Sequence, residues 1–150
     1  MTSTTTHTPA PPRELVSSAV LGSLAARVAA DENTDPSTAE RIVEQALAFL
    51  AACALNPGKR LAPCKAVDAG WHAFILHTAE YSEFCERVAG RFIHHCPAPP
   101  SGDGDTAPGA VGATIAAMRA AGLPVDTALW VPAANCSQCY QGCTSDPRGA

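Results

Sequence analysis

The sequence predicts an all-α protein, a small bundle of about four helices with an irregular cysteine-rich tail at its carboxyl end. Three observations carry this expectation. Apolar residues recur at helical spacing in four segments, capping residues, prolines and glycines punctuate those segments, and alanine, a strong helix former, supplies much of the 47 % hydrophobic content. A chain of 150 residues reads as one domain. Alanine adds little buried area, however, so that percentage overstates the core and a metal staple becomes useful.

Residues 1–12, MTSTTTHTPAPP, have nothing to bury and read as a disordered lead-in, His7 included. From Arg13 to about Ala30, Leu15, Val16, Ala19, Val20, Leu24 and Val28 mark a first amphipathic helix. Asp35 and Pro36 then supply an N-cap and a first-turn proline, opening a second helix that Asn56-Pro57-Gly58 stops. A third helix is expected from about Ala66 to Ala89, with Gly90 as its cap. At about 100° per residue, Trp71, Phe74, Tyr81, Phe84, Cys85 and Val88 of that helix form one apolar stripe. RFIHHCP should be extended or irregular, and 98–108 a linker. AVGATIAAMRAAGLP is the fourth helix, closed by Gly122 and Pro124, and VDTALWVP adds one short turn. Residues 13–97 thus form the helical domain, and 109–150 supply a helix and a tail packed on it.

Four of the five histidines fall between Trp71 and Pro97. Asp68 and His72, four apart, share a helix face, so the carboxylate can hold one imidazole nitrogen and leave the other for an ion or a proton. His72 and His77 are five apart, about 140° around a continuous helix, which disfavours joint chelation. The H-E-x-x-H arrangement of metalloproteases is absent. His77 reads as a core histidine bonded to a backbone carbonyl. His94 and His95 are adjacent and point opposite ways in an extended chain, so one of them can join a site shared with His72. Cys85 and Cys96 read as small buried side chains, with no local triad to make either a nucleophile.

The segment DAGWHAFILHTAEY resembles the D-x-x-W-H-x-H-x-L-x-P-x-x-Y pattern of glycine-rich-domain-containing proteins, and its continuation through FIHH.P looks like small bacterial relatives of that group. Asp68, Trp71, His72, Leu76 and Tyr81 match in register, while Phe74 stands in place of the second histidine and Thr78 in place of the proline. The resemblance covers residues 68–97. It implies a helical domain with a recurring histidine motif and no particular reaction.

Cys136, Cys139 and Cys143 read C-x-x-C-x-x-x-C. The two-residue gap forms a knuckle that turns two thiolates toward one tetrahedral ion, and the third brings the count to three. The fourth ligand must come from His72, His94 or His95, with Asp68 behind it, and three thiolates with an imidazole suit zinc. An iron–sulfur cluster, a redox pair and reduced thiols are the alternatives.

A net charge of -4 with no cluster of Lys or Arg offers no footprint for nucleic acid or an anionic membrane. No signal segment or long apolar run is visible, and seven cysteines, an odd number, fit a reducing cytosol. The leading expectation is a cytosolic zinc protein with a structural site and a protein partner. The alternatives are a metal-dependent enzyme with an open site of His72, His94 or His95 and Asp68, and the precursor of a modified cysteine-rich peptide.

Overall fold

The computed structural model describes residues 9–97, 109–134 and 144–146, with the backbone alone over 131–134. The chain is all-α. Among the described residues there are six α-helices, one 3-10 turn at Pro12–Leu15 and a two-stranded antiparallel ladder.

Helix α1 spans Ser18–Asp31 and begins later than the apolar pattern suggests, because Ser17 is its cap: the Ser17 hydroxyl accepts from Val20 N–H at 3.2 Å. Helix α2, Pro36–Leu55, starts and stops where Asp35 and Asn56 predict. The Asp35 carboxylate accepts from Thr38 N–H at 3.0 Å, and Asn56 closes the far end through a side-chain bond to Ala52 C=O at 2.8 Å. Ile42, Val43, Ala46, Leu47, Phe49, Leu50 and Cys53 are all buried, and they point in several directions around α2. Accordingly α2 is the central helix, packed against its neighbours α1, α3, α4 and α5.

The single third helix expected over 66–89 is instead two, α3 at Lys65–Leu76 and α4 at Thr78–Ala89. His77 breaks the run with φ -87° and ψ 70°, outside the helical well. The turn is satisfied locally, His77 N–H donating to Phe74 C=O and Tyr81 N–H to His77 C=O. The break lets Trp71 and Phe74 on α3, and Tyr81, Phe84 and Cys85 on α4, fold toward one core, where all five are buried. Close approach of α3 to α2 requires Gly70, since a Cβ there would sit 3.0 Å from Ala46 Cβ and 3.1 Å from Ile42 C=O. Gly90 ends α4 in the left-handed conformation at φ 68°, as expected.

Helix α5, Ala110–Ala120, is followed by Gly122 at φ 75°. Beyond it lies a second departure. The expected short turn is the eight-residue helix α6, Thr127–Ala134. Asp126 opens it, its carboxylate accepting from Ala128 N–H at 3.2 Å, and α6 runs through Pro132, which sequence alone reads as a stop. Buried Gln45 of α2 anchors this end: its amide donates to Pro124 C=O and its carbonyl accepts from Asp126 N–H and the Trp130 indole. The break at His77 and the formation of α6 account for six helices where about four are expected. Among the described residues, no helix is long and apolar enough to cross a membrane.

Candidate functional site

Three side chains of α3, spaced i, i+3 and i+4, converge on one imidazole. The His95 Nε2–H donates to Asp68 Oδ1 at 3.0 Å. The Trp71 ring lies 4.4 Å from the His95 ring, and the His72 ring meets it edge to face at 5.5 Å. Helical spacing places Asp68, Trp71 and His72 on one face. The sequence expectation that Asp68 serves an imidazole is met, but the imidazole it holds is that of His95, which comes from the strand rather than the helix.

Strand β1, His95–Cys96, is positioned by a short relay. The buried Trp71 indole N–H donates to Tyr81 Oη at 3.0 Å, and the Tyr81 hydroxyl donates to Ile93 C=O. Burial pushes the Tyr81 phenol up, so it stays a protonated donor. Trp71 therefore serves the site twice, supporting the His95 ring and fixing the chain that carries it. The sequence places Trp71 and Tyr81 on the apolar stripe and in the matched motif, with no hydrogen-bonding role for either.

Asp68 lies in the first turn of α3, where the positive end of the helix dipole favours a carboxylate. Paired with Nε2–H, it sets the His95 tautomer and leaves Nδ1 as the nitrogen with a free lone pair, the arrangement that prepares an imidazole to ligate. The side chains of His95 and Asp68 are 13 % and 17 % exposed, so the pair is shielded while remaining reachable.

The neighbouring histidines have separate fates. His94 is exposed and its ring lies 4.8 Å from that of Phe92, so adjacency does turn the two imidazoles apart. His77 Nδ1–H donates to Ala73 C=O at 3.0 Å, as expected of a structural histidine. His72 is exposed beside His95. The 140° separation of His72 and His77 assumed a continuous helix, and the break at His77 removes that premise.

Strand β2, Thr144–Ser145, pairs with β1 in antiparallel register, Ser145 opposite His95 and Thr144 opposite Cys96. The carboxyl-terminal part of the chain thus returns to the histidine segment. Cys136, Cys139 and Cys143 lie outside the described residues, as does His7. Among the described residues, no group of three His, Cys, Asp or Glu side chains converges to hold a metal ion.

Cys53, Cys64 and Cys85 are poor nucleophiles. Burial pushes the Cys53 thiol up to about 12, and does the same in direction for Cys64 and Cys85, so all three stay protonated at neutral pH. At Cys64 the amides of Val67 and Ala66 pull the other way and burial prevails. Cys96 is partly exposed.

Residues 18–106 match a family model described as UCP032817-like, and the match spans α1 through β1, hence Asp68, His72, His94 and His95. No curated protein matches the chain, and neither does any solved structure.

Proposed function

The chain belongs to the UCP032817-like family, and we propose that it is a small zinc-binding helical protein of the cytosol whose metal is structural. In this proposal Cys136, Cys139 and Cys143 supply three thiolates and His95 the fourth ligand through Nδ1. Asp68 holds the far side of the ring. The observation that carries it is the register of β1 with β2, because Thr144 lies opposite Cys96 and follows Cys143 directly in the chain. At about 3.3 Å per residue, little chain is needed between that anchor and an ion at His95.

Of the three histidines offered by the sequence, His95 is preferred because a carboxylate already orients it at 3.0 Å. His94 is directed to Phe92 instead. Four protein ligands leave no position for water, so the ion pins the tail to the helical body and does not activate a substrate. A tail so pinned serves interaction with a protein partner or its regulation.

A second reading rests on the edge-to-face contact of His72 with His95 beside Asp68. There, His72 and His95 hold an ion with solvent completing the shell, and the protein is a metal-dependent enzyme that activates water or dioxygen. Cobalt substitution of the full chain separates the two. Intense thiolate-to-cobalt charge transfer, abolished by joint Cys→Ser substitution at 136, 139 and 143, is the result expected for the structural site. Cobalt bound without that band, and retained by the triple variant, would overturn it in favour of the open site.

A further inference from the structure

Asp68 orients the His95 ring and Trp71 supports it, but the third α3 side chain at that ring, His72, is idle in the structural zinc site. His72 is exposed, and among the described residues its imidazole meets the His95 ring without a hydrogen-bond partner. A side chain held by no bond keeps its rotamer freedom, so the ring can turn toward its neighbour or away from it. The spacing of the two rings is close to that of two imidazoles on one ion. With Zn–N at about 2.0–2.1 Å and tetrahedral angles, the ring centroids of two histidine ligands lie about 5 Å apart. Those of His72 and His95 are 5.5 Å apart, with the ring planes at 89°.

We propose that His72 is the entering ligand through which zinc is gained and lost at His95, so that the pin on the tail is releasable. The inference rests on the structural site of Cys136, Cys139, Cys143 and His95. A closed shell of four protein ligands exchanges its ion slowly when a resident ligand must leave first, because that leaves a bare position on a divalent cation. Zinc accepts a fifth ligand transiently. As the His72 lone pair binds, a resident bond can break without the shell falling below four. His95 remains the resident ligand, because Asp68 holds its ring at 3.0 Å, whereas fixing His72 costs side-chain entropy with no such support. His94 cannot take the part of His72, since its ring is turned to Phe92. A group that binds only during the passage lowers the barrier to gain and to loss equally and leaves the affinity alone. The tail is thereby fastened or freed in step with the zinc supply.

Affinity and exchange, measured separately on the full chain, test this. Affinity comes from competition with a chromophoric chelator. Exchange comes from mixing the zinc-loaded chain with an isotopically enriched zinc salt and following the mass of the intact complex. His72→Ala should slow exchange by about tenfold while its affinity stays within about a factor of two of the unmodified chain. Free imidazole should restore the rate in His72→Ala, and His94→Ala should exchange like the unmodified chain. Exchange at the unmodified rate in His72→Ala would overturn the inference and leave the structural site standing. So would a loss of affinity in His72→Ala as large as that in His95→Ala, which would make His72 a resident ligand. An unmodified chain that binds no zinc would overturn the structural site and this inference together.

Discussion

Replacing Gln45 by alanine tests how α6 is held. Gln45 is 5 % exposed on α2, and its amide meets three groups: Pro124 C=O at 3.2 Å, Asp126 N–H at 3.1 Å and the Trp130 indole N–H at 2.8 Å. Truncation leaves all three without this partner. Pro124 and Asp126 sit near enough to solvent to recruit water, but Trp130 is fully buried and its N–H is orphaned. An unsatisfied buried donor costs about 1–3 kcal/mol. Adding the lost packing of the Gln45 γ-methylene at about 0.8 kcal/mol gives a total of roughly 2–4 kcal/mol. For a chain of this size that lowers Tm by roughly 5–15 °C. Urea and thermal denaturation, followed by far-UV circular dichroism and tryptophan emission, measure the effect. A loss below about 0.5 kcal/mol would refute the assignment of Gln45 as the anchor of α6.

Two glycines should respond with opposite signs. Gly70→Ala introduces a Cβ 3.0 Å from Ala46 Cβ and should destabilise by about 1–2 kcal/mol, overpacking exceeding the gain in helix propensity, whereas Gly22→Ala, with nothing within 4 Å, should stabilise by about 0.5–1 kcal/mol. Chemical denaturation of both variants checks the pair. The Arg41 guanidinium, bonded to Asp126 at 2.7 and 2.9 Å, holds the Asp126 carboxyl below its ordinary 3.8. Its contribution to stability is therefore complete above pH 3.8 and is lost as pH falls through the lowered folded value, so Asp126→Asn should flatten the acid limb of a Tm-against-pH curve. Iodoacetamide at pH 8 should modify Cys96 before Cys53, Cys64 or Cys85, whose burial keeps them protonated and enclosed. Peptide mass mapping gives the order.

Long helices with explicit punctuation were legible in the sequence. Asp35-Pro36 and Asn56 bound α2 because a side-chain cap and a first-turn proline act locally, whatever the rest of the chain does. The break at His77 was harder to see, since apolar residues keep a helix-like period through it and no proline or glycine interrupts them. One clue lay in the resemblance itself: the pattern's proline falls at Thr78, the first residue of α4, where proline is well tolerated. Helix α6 was underestimated because Pro132 reads as a terminator, while the Gln45 amide that secures its start is some 80 residues away in sequence.

The site was legible in its parts rather than its pairing. Asp68 was identified as the carboxylate that orients an imidazole, and His95 was among the imidazoles named, but helical spacing favoured His72 as its partner. Local geometry cannot anticipate that β1 brings His95 over α3, because that approach depends on the relay from Trp71 through Tyr81 to Ile93 and on pairing with Thr144–Ser145. Tyr81 and Ser145 carry no sequence signal for these roles. A phenol and a serine mark a site only when their partners are known.

Zinc affinity of the full chain and of three single variants, measured by competition with a chromophoric chelator, tests the central claim most directly. The proposal predicts one zinc per chain, at least a hundredfold weaker binding in His95→Ala, a loss of about 10–100-fold in Asp68→Asn, and wild-type affinity in His94→Ala. Wild-type affinity in His95→Ala, or no zinc bound by the unmodified chain, would contradict it.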